Sequence, residues 1–163
     1  MNSDYGLPVE MAEQIEQTLS NLRRMTEAES VMLADVSGQL VSLHGEIEES
    51  DPVLIAALAA GDVAAMSELS RQIGEQNPSG SFLHEGEHKS IYLLNVGTSF
   101  ILLVIFRAET LVGMVRLFTG RAAEQLESIS REYEELMEQP KAAPGADFGT
   151  ALAGELERAF GEF

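Results

Sequence analysis

Two histidines four residues apart, His84 and His88, are the first place in this chain to look for chemistry. On a helix that spacing would put both imidazoles on one face as a metal pair. Here they flank Glu85-Gly86-Glu87, which reads as a hairpin turn, and no third ligand stands at a suitable spacing. Carboxylates are abundant, but they fall on hydrophilic faces rather than in an apolar setting that would shift a pKa for acid–base work. Serine, histidine and aspartate occur without the Gly-x-Ser-x-Gly elbow that exposes a nucleophile. The glycines form neither GxxxxGK[ST] nor GxGxxG after a strand, so no phosphate cradle is predicted. The absence of cysteine removes thiol nucleophiles, disulfides and cysteine metal sites together. The expectation is a protein that is not an enzyme and needs no cofactor or metal.

Charge narrows the choice of partner. With 27 acidic against 10 basic residues the net charge is −17. Such a surface repels phosphate backbones and anionic headgroups, so neither nucleic acid nor direct membrane binding is expected. It serves solubility, or it meets a partner with a basic patch. The opening MNSDYGLPVE has neither a basic start nor an apolar core, so a signal peptide is not expected. No apolar run is read as membrane-spanning, and a cytoplasmic location follows from these features together. A length of 163 residues suits one domain with room for a full core, with an appended tail.

The elements that must position any site are organised around Ser99–Phe106, SFILLVIF. This run is almost continuously apolar and rich in β-branched and aromatic residues, so it predicts a strand buried on both faces. Before it, Pro8 to about Met25 reads as an amphipathic helix with Met11, Ile15, Leu19 and Leu22 on one stripe. Ser30–Val36 and Gln39–Leu43 read as strands joined at Ser37-Gly38, and Asp51-Pro52 as a helix start running to about Ile73. In that second helix Leu54, Leu58, Ala65, Leu69 and Ile73 form a stripe expected to cover a sheet. Ala56, Ala60, Ala64 and Ser67 form an opposite stripe of small residues, where another backbone could approach closely; alanine's helix propensity also accounts for it. Ser81–Glu85, Lys89–Val96 and Ser99–Phe106 then make a meander whose first strand is short and mixed, as at a sheet edge. A long helix from about Leu111 carries Leu111, Val115, Phe118, Ala122, Leu126, Ile129, Tyr133 and Leu136 on an inward stripe and glutamates outward. PKAAPG at 140–145 is a linker, followed by an amphipathic tail.

This order, with the DVSGQLVSL hairpin and FILLVIF feeding LVGMVRLFTGRAAEQLESI, resembles the roadblock / dynein light chain family over about Val9 to Met137. The fold class is thus α/β of the α+β type, α-β-β-α-β-β-β-α. A five-stranded antiparallel sheet is sandwiched by helices over residues 8–138, with a linker at 139–147 and a short C-terminal amphipathic helix over 148–163.

The resemblance implies a homodimer in which the strand around Phe82 pairs with its copy and the face of Ala56, Ala60, Ala64 and Ser67 meets its mate. It also implies a platform for a small Ras-like GTPase whose cycle the dimer modulates, or else a light chain or structural adaptor in a cytoskeletal, motility or polarity complex. Bacterial members of the gliding-motility type are similar in length and in having a C-terminal extension. Arg71, Arg107, Arg116 and Arg121 are the arginines that could reach into a partner's site. Arg71, at the end of the small-residue face, is the one placed at the platform, where it also offsets the helix dipole. Phe148, Leu152, Leu156 and Phe160 line one side of the tail and are expected to bind a partner. A small-molecule sensor would need a polar-lined cavity, which the apolar central strand does not offer.

Overall fold

The computed structural model describes residues 6–76, 80–138, 153–159 and 161. Its elements follow the order α1 Val9–Thr26, β1 Ser30–Asp35, β2 Leu40–Gly45, α2 Pro52–Gln72, β3 Ser81–Glu85, β4 Lys89–Val96, β5 Phe100–Arg107 and α3 Val112–Glu138. The strands form one five-stranded antiparallel sheet in the order β2-β1-β5-β4-β3. The apolar run is its central strand, buried at every position from Phe100 to Phe106. Alternation divides it between two cores. Phe100, Leu102, Val104 and Phe106 face α1 and α3, while Ile101, Leu103 and Ile105 face α2.

Local chemistry accounts for the boundaries. Pro8 precedes α1 as its N-cap residue rather than opening the first turn. The Asp35 carboxylate accepts from the Ser37 and Gln39 N–H groups at 2.9 Å, and from the Ser37 hydroxyl, closing the first hairpin as an Asx turn. Asp51 caps α2 by accepting the Val53 N–H at 2.9 Å, with Pro52 at the first helical position. Gly74, at φ +91°, ends the same helix in the left-handed region. Among sequence expectations for α3, Val115, Ala122, Leu126 and Ile129 are buried, and Phe118 and Tyr133 pack beside them. Leu111 and Leu136 are exposed, so the stripe is shorter than its pattern.

Helix α2 reverses the expectation made for it. The residues against the sheet are Ala56, Ala59, Ala60 and Val63. Leu54, Leu58, Leu69 and Ile73 point outward, as does Val53. The reason is volume. The sheet face below presents Met32, Leu93, Ile101, Leu103 and Ile105, all large, so the covering helix settles close only with small residues inward. The first hairpin presses on it too, since a Cβ on Gly38 would lie 2.9 Å from the Ala57 Cα. By length and composition this helix is also apolar enough to cross a membrane, contrary to the sequence reading, although one of its faces is packed on a sheet.

Residues 1–133 form one compact unit and 134–163 another. Within the second, 153–159 are helical and exposed.

Candidate interaction surface

The outward face of α2 and its C-cap collect five exposed apolar side chains, Val53, Leu54, Leu58, Leu69 and Ile73, the last 80% exposed. Between them lie Ala57, Gly61, Ala64 and Ala65, all exposed and all small. Gly61 sits mid-helix, where glycine costs about 1 kcal/mol against alanine, yet nothing lies within 4 Å of a Cβ built there. The protomer itself therefore has no packing use for it. A long exposed apolar face with small residues along its middle is the surface on which a second helix can lie close.

Beside this face runs the sheet edge. β3 pairs with β4 alone, leaving its other side free of strand partners among the described residues. Between α2 and β3 opens a groove of about 610 Å³, with Ile55, Leu58 and Met66 on the helix side and Phe82 and Ile91 on the strand side. Phe82 is half-buried at that edge, on the α2 side of the sheet. An unpaired edge next to an apolar groove offers backbone hydrogen bonds and side-chain pockets together.

The residues predicted for the interface divide. Ala56 and Ala60 are only 1% and 7% exposed, spent on the chain's own sheet, so they cannot also meet a mate. Ala64 is exposed, Ser67 is half-buried, and Phe82 borders the groove. Arg71 is exposed in the last turn of α2 but forks onto Glu68 at 2.6–3.0 Å, and the Gln72 amide joins the same carboxylate at 2.7 Å. The bonds from Gln72 and Arg71 hold the Glu68 carboxyl below its ordinary value of 4.5. Leu156 is exposed within the helical stretch 153–159; Phe148, Leu152 and Phe160 lie outside the described residues. Sequence reasoning placed Leu58 on the sheet-covering stripe and did not single out Gly61 or Met66, for which the mid-helix glycine was the signal available.

His84 and His88 are both exposed, on the last half of β3 and in the turn after it. Among the described residues no group of three His, Asp or Glu side chains could hold a metal ion.

The Roadblock/LC7 domain family matches residues 14–106 of the chain. Solved structures of MglB are similar to it. Myxococcus xanthus MglB is 36% identical with a TM-score of 0.72, the match covering 77% of this chain and 94% of that one. The gliding protein MglB of Thermus thermophilus is 26% identical with a TM-score of 0.70, over 77% of this chain and 95% of that one. An MglB with a tetrameric arrangement, also 26% identical, has a TM-score of 0.72 over 77% of this chain and 94% of that one. Among curated proteins none matches the chain in sequence.

Proposed function

Since the chain belongs to the Roadblock/LC7 domain family, we propose that it is a non-catalytic, cytoplasmic, homodimeric platform that binds a small Ras-like GTPase and modulates its GTP cycle. The observation that carries this reading is the exposed leucine face of α2 lying beside the open β3 edge. A two-fold axis at that edge pairs β3 with its copy and sets the two α2 helices side by side. The same operation covers Leu58 and lets the second helix approach over Gly61. The description of a similar MglB as tetrameric agrees with self-association.

The paired helices then present one broad surface to the GTPase. α2 carries Asp62 and Glu68 there, with Arg71 bound to Glu68, so the surface suits a basic patch on the partner. On this reading the platform acts by ordering the GTPase's own residues, and since Arg71 forks onto Glu68, R71A is expected to leave the effect on phosphate release intact. A purified small Ras-like GTPase, assayed for phosphate release with and without this protein, tests the reading. A changed rate is expected; tight binding with an unchanged rate would instead make the protein a structural adaptor in a motility or polarity complex. The likeness to a gliding protein favours that second reading, which needs the same surface but no effect on turnover.

A further inference from the structure

In a chain with 27 acidic residues, the segment 111–123 contains none. It forms the first half of α3, and it carries two arginines, Arg116 and Arg121. Neither has a carboxylate partner among the described residues. Each guanidinium instead lies over an aromatic ring, Arg116 at 6.0 Å from the centre of Tyr92 and Arg121 at 5.6 Å from that of Phe118. Stacking fixes the plane of the fork while its N–H edge stays available to an incoming carboxylate. The second half of the helix is predominantly acidic, with Glu124, Glu127 and Glu132 exposed beside a single arginine, Arg131. This order opposes the helix dipole, which favours acids at the start and bases at the end. The arrangement has no use to the isolated helix.

From this charge pattern we infer that α3 is a second self-association surface, on the opposite layer of the sheet from α2, where two copies pair antiparallel. Steps of 100° per residue put Arg116 and Glu127 on one flank of the outward face, and Arg121 and Glu132 on the other. An antiparallel two-fold brings like flank to like flank, so each basic half meets the acidic half of the second copy. Between the flanks run Gly113, Leu117 and Gly120. Leu117 is 52% exposed, and nothing lies within 4 Å of a Cβ built on either glycine, so the helices can come close. The axis passes near Glu124, which then faces its own copy. The inference is independent of the α2 pairing, which uses the other layer.

The chain is free of cysteine, so single cysteines report each pairing separately. Facing positions on close-packed helices come within disulfide reach, and E124C in the full-length protein is expected to cross-link to itself under mild oxidation. Adding R116E/R121E, or E127R/E132R, should cut the yield at least about tenfold, as loss of close charge pairs across an interface does. Mixing those two variants should restore it between unlike chains, because their reversed faces complement each other. A G61C chain reads the α2 pairing and should be indifferent to every one of these charge changes. No cross-link at residue 124, a cross-link that ignores both reversals, or a mixture that fails to restore it overturns the inference. Loss of the G61C cross-link alone would instead count against the platform.

Discussion

Replacing Leu58 with alanine tests the proposed dimer separately from the fold of the protomer. Leu58 is 64% exposed, so the fold of one chain covers only about a third of it. Full burial of a leucine is worth about 1.5–3 kcal/mol. Covering the exposed 64% in a dimer therefore contributes about 1–2 kcal/mol per copy, and a two-fold interface uses the residue twice. L58A should thus weaken the dimer by about 2–4 kcal/mol, or roughly 30- to 1,000-fold in dissociation constant. The alanine methyl retains part of this, so the lower end is the expected result. The protomer should lose no more than about 1 kcal/mol, because little of the side chain is buried within it. Sedimentation across a dilution series gives the dissociation constant, and circular dichroism at the same concentrations shows whether the fold survives. Ala60→Arg cannot make this distinction: Ala60 is 7% exposed against the sheet, and a long cation there breaks the chain's own packing. A dissociation constant unmoved by L58A would place the dimer contact elsewhere and refute the argument.

Four further outcomes follow from the same structure. Phe106→Ala empties a fully buried site on the α1/α3 side of the central strand and should cost about 3–5 kcal/mol in denaturant unfolding. Asp51→Ala removes the cap on Val53 N–H and should cost about 1 kcal/mol by the same measurement. Glu68 should titrate below 4.5 by NMR, and either Q72A or R71A should move it back up. With the folded pKa lowered, whatever these bonds contribute is present above the ordinary carboxylate range and is lost as pH falls through the lowered value. Deleting residues 139–163 should leave the melting temperature of the domain nearly unchanged while reducing GTPase binding; a large fall in melting with binding intact would make the tail part of the core.

The sheet was legible because its centre is extreme. Seven consecutive buried positions with no alternation admit little besides a strand covered on both sides, and Asp51-Pro52 marks a helix start by chemistry alone. The side of α2 that faces the sheet was not legible. Periodicity finds stripes on a helix but does not say which one is inside when both are apolar. The usual preference for large residues inward fails here because the opposing face supplies the bulk, and alanines complete the fit. The groove beside Phe82 depends on α2 and β3 meeting across the sheet, which no local pattern records. By composition Asn77-Pro78-Ser79-Gly80 is a turn before β3, and its first three residues lie outside the described ones.

The same geometry gives a reason for the net charge. A helix with five large apolar residues outward is an aggregation hazard unless its contacts are restricted to the intended ones. α2 itself carries only Asp62, Glu68 and Arg71, a net −1, so the remaining −16 of the chain's −17 lies elsewhere. On α1 and the second half of α3 the glutamates project outward, away from the apolar face. Random encounters bring those surfaces together and are repelled, at short range and at long range alike. A two-fold encounter through α2 and β3 brings together lightly charged surfaces. Acidity on the other faces therefore selects the orientation in which the leucines can be covered, and it does so before any contact forms. On this argument the charge and the exposed leucines are one device, and neutralising glutamates on α1 should promote disordered association without strengthening the dimer.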